Sequence, residues 1–163
     1  MHLYLLRHGD PISDSKLHDS ERPLSALGTL QANTAGQFIQ LARYPIQLII
    51  ASPLLRAQQT ANVVRKVLNL ADILTSEYLV PCSDQQQLFV LLNERSEEHI
   101  LVTGHEPHLS STIALLIDEQ IHANLEMKKC SFACVEIPRP IGKGKGVLRW
   151  LVTVEQMGLS QRQ

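Results

Sequence analysis

Apolar residues fall in short unbroken runs and in helically spaced stripes, and the two kinds alternate along the chain. Leu3-Tyr4-Leu5-Leu6 is apolar on both faces, which predicts a central strand over residues 2–6, covered on both sides. Residues 10–24 carry Asp10-Pro11, several serines and Arg22-Pro23 and read as a loop. A helix is expected to begin near Ser25. Leu27, Leu30, Thr34, Phe38 and Leu41 follow at steps of three and four and would form its apolar face. Tyr44-Pro45 ends it. Residues 46–51, Ile-Gln-Leu-Ile-Ile-Ala, make a second strand. Ser52-Pro53 has the form of an N-cap followed by proline at the first helical position. Leu54, Ala57, Ala61, Val64 and Leu68 then repeat at helical spacing.

Residues 73–82 are less regular and fit a short strand and then a loop. Ser83-Asp84-Gln85-Gln86 has the Ser-x-x-Gln form of a capping box, with Leu88, Leu91, Leu92 and Arg95 for a third helix. Ile100-Leu101-Val102-Thr103 is a third strand. Pro107 opens a fourth helix with Leu109, Ile113, Leu116 and Ile117 on one face. Residues 131–137 and 147–154 read as strands joined by an exposed hairpin connection. This order is that of an α/β protein, a three-layer α/β/α sandwich with a mostly parallel central sheet and an antiparallel edge. No repeat or linker interrupts it, and 163 residues suit a single domain over 1–163.

Composition narrows the picture. With 44% hydrophobic and 19% charged residues the chain can bury a core. A formal net charge of −1 gives no support for nucleic-acid or membrane-surface binding. No apolar run reaches the roughly 7–15 residues of a secretory signal or the ~20 of a membrane span, so a cytoplasmic protein is expected. The cysteines are Cys82, Cys130 and Cys134. An odd count favours free thiols, buried or half-buried. No coiled coil is evident, and a monomer is expected.

Ligands of open parallel sheets bind beyond the carboxyl ends of the strands. Arg7-His8-Gly9, Ser52-Pro53-Leu54-Leu55-Arg56 and Gly104-His105-Glu106-Pro107 each follow a predicted strand, so distant motifs converge on one place. Arg7 and Arg56 would balance the charge of a phosphoryl dianion. Gly9 would let backbone approach the anion. His8 attacks phosphorus only when neutral, and nearby arginines favour neutrality. His105 would supply a further donor, in one reading as imidazolium. The path would be covalent, through phosphohistidine on His8 and then hydrolysis. No metal or cofactor is expected, because the arginines take the charge-neutralising part. His105-x-x-His108 lacks a third ligand, and His108 is placed in the first turn of a helix near the pocket rim. His2, His18, His99 and His122 are expected at the surface. Gly142-Lys143-Gly144-Lys145-Gly146 lacks the context of a P-loop, and no Cys-x5-Arg arrangement follows Cys82.

The Arg-His-Gly after the first strand, Ser-Pro-x-x-Arg-x-x-Gln-Thr at 52–60 and Gly-His at 104–105 resemble the histidine phosphatase, or phosphoglycerate mutase-like, superfamily. Short length, Arg22-Pro23-Leu24-Ser25-x-x-Gly28 and Pro81-Cys82-x-Asp84 resemble its SixA-type phosphohistidine phosphatase branch. The resemblance implies His8 as phosphoryl acceptor, with Arg7, Arg56 and His105 holding the phosphate. Many phosphomonoesterases of the superfamily carry an acid that protonates the leaving oxygen, and Glu77–Asp84 offers no clear match to it. An alkoxide leaves badly without a proton; the nitrogen of phosphohistidine leaves far better. A histidine-phosphorylated carrier or signalling protein is therefore the expected substrate and partner. Glu77, Asp84 and Glu106 stay open as acids. So do two other readings, a small phosphomonoesterase for sugar phosphates or nucleotides, and a phosphate-binding module without turnover.

Overall fold

The computed structural model describes residues 1–119 and 124–159. Its strands are β1 (His2–Arg7), β2 (Leu48–Ala51), β3 (Ile73–Thr75), β4 (His99–Gly104), β5 (Phe132–Glu136) and β6 (Val147–Val152). They form one six-stranded sheet in the order β3-β2-β4-β1-β5-β6. The first four are mutually parallel, β5 runs antiparallel to β1, and β6 runs antiparallel to β5. Successive side chains of a strand point to opposite faces, and here both faces are apolar. Leu3, Leu5, Ile50, Ile100 and Val102 pack with Leu88 and Leu92 of α3 (Gln85–Asn93) and with Leu109, Ile113 and Leu116 of α4 (His108–Asp118). Tyr4, Leu6, Ile49 and Leu101 pack on the other side. Their partners are Ala35 and Ile39 of α1 (Ala26–Leu41), Ala61 and Val64 of α2 (Leu55–Leu68), and Met157 of α5 (Val154–Leu159). Each fully buried leucine or isoleucine contributes about 1.5–3 kcal/mol. The expected three-layer sandwich is thus present, with a predominantly parallel sheet. Among the described residues no helix is long and apolar enough to cross a membrane.

Several local expectations are corrected. The leucine stripe of α1 faces outward, with Leu27 55%, Leu30 63% and Leu41 66% exposed. The buried face is instead Gly28, Ala32, Ala35, Gly36 and Ile39. The reason is close approach of α1 to α2: a Cβ on Gly36 would lie 3.1 Å from Val67 Cβ, leaving no room for leucine. Ser25 does cap α1, accepting from Gly28 N–H at 3.0 Å. Ser52 does not cap α2. The helix starts later, with Leu54 at the N-cap position and no side-chain cap; the Ser52 hydroxyl accepts from Leu54 N–H at 3.4 Å, ahead of the helix, and is also bonded to a histidine described below. At α3 the cap is Asp84 rather than Ser83; Asp84 Oδ1 accepts from Gln86 N–H at 3.0 Å, while Ser83 Oγ donates to Tyr78 O at 2.8 Å. Helix α5, packed against α1, falls where no helix was expected. Cys130 and Cys134 are buried free thiols, whereas Cys82 is exposed. Burial pushes the Cys130 thiol up to about 12. His2 and His99 are half-buried rather than fully at the surface. His18 is exposed. His122 lies outside the described residues.

Candidate active site

Strand register brings the three motifs together. Arg7 pairs with Gly104 across β1 and β4, and Ala51 pairs with Thr103 across β2 and β4. The chain beyond both neighbours is tied to the end of β4: His8 N–H donates to Gly104 O at 3.0 Å and Ser52 N–H to Thr103 O at 2.9 Å. His8 and His105 therefore emerge side by side, with ring centroids 4.9 Å apart.

His8 is buried. Its Nδ1 is 2.7 Å from the carbonyl oxygen of Gly9. A carbonyl only accepts, so Nδ1 carries the hydrogen and Nε2 carries a lone pair. Arg56 Nε donates to that Nε2 at 3.3 Å. Burial first, and then Arg56, Arg7 and Lys129, lower the His8 pKa to about 4 against the opposing pull of the Gly9 carbonyl. Desolvation, more than the arginines, keeps the ring neutral. His105 is lowered to about 3, by burial first and then by His8 and Arg56, so it too is a neutral imidazole rather than the imidazolium considered above. Its Nε2 is hydrogen bonded to Ser52 Oγ at 2.9 Å, while its buried Nδ1 has no partner among the described residues.

Arg56 lies in the first turn of α2 and is buried. Its Nη1 donates to the backbone oxygen of Asp19 at 2.6 Å and its Nη2 to Asp19 Oδ2 at 2.9 Å. Arg7, closing β1, donates from Nη1 to Met127 O at 2.7 Å, and its Nε is buried without a partner among the described residues. Asp10 and Lys129 form an ion pair, and the Lys129 charge acts on His8. The motif polar residues of α2 hold the neighbouring loops. Thr60 Oγ1 accepts from Gly9 N–H at 3.1 Å, and Gln59 Oε1 accepts from Leu24 N–H at 2.7 Å.

Gly9 is placed differently from the expectation. Its N–H is taken by Thr60, and a Cβ there would fall 2.5 Å from the carbonyl oxygen of Gly28. Its lack of a side chain serves the contact between this loop and α1. His108 is also placed differently. It is fully buried rather than at a rim, because the inner side of α4 packs into the core. Both its ring nitrogens lack partners among the described residues, and burial lowers its pKa to about 4 against the opposing charge of Asp84. Of the three candidate acids, Glu77 and Asp84 are exposed. Glu106 is half-buried and its pKa is raised, chiefly by burial, although Ser110 and then Arg7 pull it down. Glu106 accepts from Ser110 Oγ at 2.6 Å and Ser110 N–H at 3.2 Å. No group of three or more His, Cys, Asp or Glu side chains suited to a metal ion occurs among the described residues. Sequence reasoning missed Asp19, Thr60 and Lys129 as neighbours of the site. Thr60 stood in the 52–60 motif; Asp19 and Lys129 lie in segments without periodicity and gave no signal.

Three comparisons bear on this geometry. A family model for the histidine phosphatase superfamily (branch 1) matches residues 3–80. The phosphohistidine phosphatase SixA of Escherichia coli (strain K12) is 31% identical over 122 residues, covering 71% of this chain and 74% of that protein. The solved structure of the protein histidine phosphatase SixA complexed with tungstate superposes with a TM-score of 0.87 at 25% identity, over 96% of this chain and 99% of that one. A putative alpha-ribazole-5'-P phosphatase from Escherichia coli shares the fold, with a TM-score of 0.78 at 19% identity over 94% of this chain and 98% of that one. On the strength of the 31% identical SixA relative, and with its motifs gathered at the carboxyl end of the sheet, this chain belongs to the histidine phosphatase superfamily and is a phosphatase.

Proposed function

We propose that this protein hydrolyses phosphohistidine on a partner protein, through a covalent phosphohistidine on its own His8. The observation that carries the reading is the tautomer and neutrality of His8: an Nε2 lone pair beside the guanidinium of Arg56. In the first step that lone pair attacks phosphorus and the N–P bond to His8 forms. The P–N bond to the substrate imidazole breaks, and the departing nitrogen takes a proton. In the second step water attacks phosphorus, the bond to His8 breaks, and inorganic phosphate leaves. Arg56 and Arg7 neutralise the phosphoryl oxygens through both steps, and no metal is required for that task. His105, with Nε2 fixed by Ser52, offers Nδ1 to a phosphoryl oxygen; a bound dianion would raise its pKa toward the donor form.

The substrate class rests on the phosphohistidine phosphatase SixA relative and on the acids. Glu77 and Asp84 are exposed, and Asp84 is committed to capping α3. A nitrogen leaving group needs no strong acid. Glu106 keeps a second reading open, a phosphomonoesterase, because burial raises its pKa against the opposing pull of Ser110 and Arg7, which suits a proton donor. The deciding experiment is phosphate release from a histidine-phosphorylated carrier protein, with and without EDTA, in wild type and His8→Ala. Release that survives EDTA and vanishes in the variant supports the proposal. Turnover of small phosphate esters alone, lost in Glu106→Gln, transfers it to the second reading.

A further inference from the structure

Asp19 sits in the loop between β1 and α1, in a single helical turn over Asp19–Glu21. Its side chain is 58% exposed, yet it holds the almost fully buried Arg56. A guanidinium offers two bidentate edges, one from its two terminal nitrogens and one from Nε with the neighbouring terminal nitrogen. Asp19 takes the first edge entirely, its backbone oxygen accepting from Nη1 at 2.6 Å and its Oδ2 from Nη2 at 2.9 Å. The second edge is thereby turned inward, with Nε 3.3 Å from His8 Nε2. A phosphoryl group bonded to Nε2 would lie against that edge. Asp19 is itself held: its Oδ1 accepts from Arg22 Nη1 at 3.3 Å, and Arg22 Nε donates to Ile12 O at 2.9 Å. Partial burial raises the Asp19 pKa, but hydrogen bonds and charge from Arg56 and then Arg22 outweigh it and hold the carboxyl below its usual range. The carboxylate therefore stays charged at neutral pH.

An exposed ion pair is ordinarily worth little, about 0–1 kcal/mol. This one differs because one partner is buried beside the nucleophile. We propose that Asp19 is a positioning residue, which clamps the outer edge of Arg56 so that the inner edge meets the phosphoryl group on His8 Nε2. The inference rests on the reading of Arg56 as a phosphoryl ligand.

The test uses the full chain, phosphoramidate as a small P–N substrate, and orthovanadate affinity by calorimetry. Asp19→Ala removes the carboxylate contact but keeps the backbone one. Its kcat is expected to fall about tenfold, since small misplacements of a catalytic group cost that much or more. KM should change less than about threefold, with Tm within a few degrees of wild type. Asp19→Asn, whose amide oxygen still accepts from Nη2, should keep kcat within about threefold. In an Arg56→Ala background, adding Asp19→Ala should change nothing further, read by orthovanadate affinity should turnover there be too slow. Asp19→Ser, too short to reach Nη2, replaces the alanine variant should that one not fold. A wild-type kcat in Asp19→Ala, or an equal loss in both backgrounds, overturns the positioning role. Arg56→Ala with wild-type turnover and orthovanadate affinity instead removes Arg56 from the site, and the inference with it.

Discussion

The same two strands carry a histidine pair at each end, and the pairs are chemically unlike. His2 opens β1 and His99 opens β4; these two rings stack 4.8 Å apart and only 2° from parallel. His8 and His105 follow the other ends of those strands at nearly the same separation, 4.9 Å, but tilted by 51°. At the amino end, Tyr4 Oη lies 3.2 Å from His99 Nδ1, and Glu136 stands 4.0 Å from His2. Both rings there are only half-buried, although burial first, and then His2, lower the His99 pKa. At the carboxyl end, burial first and then Arg56 keep both rings neutral, with Arg7 adding to the effect on His8, and the Gly9 carbonyl fixes which nitrogen of His8 is free. A neutral imidazole with a free Nε2 is here a property of the surroundings, not of the residue type.

The contrast is sharpest in turnover. His8→Ala is expected to reduce phosphate release to background while leaving the circular dichroism spectrum and Tm close to wild type; substantial residual turnover would sink the covalent route. Arg56→Ala should lower kcat by about 10²–10³, the usual cost of removing a charge-stabilising donor. Arg56→Lys should recover part of that loss but not the bidentate geometry; equal rates for all three proteins would break the distinction between the two ends.

A broader test is acid stability. The folded-state pKa values of His8, His105 and His108 are lowered to about 4, 3 and 4, whereas the unfolded chain titrates near 6.5. Between those limits the unfolded state binds more protons, so stability rises with pH. The contribution is complete above about pH 6.5 and is lost as pH falls through 4 to 3. Urea midpoints measured from pH 8 to pH 4 should therefore decline below pH 6.5. His108→Leu, which removes a buried imidazole without hydrogen-bond partners among the described residues, should flatten that decline; a marked loss of Tm at pH 8 in this variant would point to an unrecognised role. The mildest effect belongs to His2→Ala and His99→Ala, which should leave kcat within about twofold, as surface-side changes remote from chemistry do.

What the sequence disclosed followed physical regularity. Leu3–Leu6 and Ile100–Thr103 are apolar on consecutive positions because both sheet faces are covered, and their ends delivered His8 and His105 to one place. The face of α1 was misread because hydrophobic size was taken as the measure of burial. A helix pressed this close to its neighbour buries Gly28, Ala32, Ala35 and Gly36 and turns its leucines outward. Ser52 was misread because its hydroxyl turns to Leu54 N–H and to His105 rather than into the first turn of α2, and only the tertiary structure brings His105 there. Asp19 was illegible for a related reason: its partner lies on another element, and a charged residue in an aperiodic loop carries no sign of what it holds.

Both site loops hang from the last rungs of one ladder, His8 on Gly104 and Ser52 on Thr103. Inserting or deleting a single residue within β4 would therefore exchange the faces of every side chain beyond it and pull the rings of His8 and His105 out of alignment in the same event. Errors of strand length would be felt at once in folding and in chemistry, so neither can drift without the other. Among descendants of this chain, the spacing from His99 to His105 should therefore be inherited unchanged.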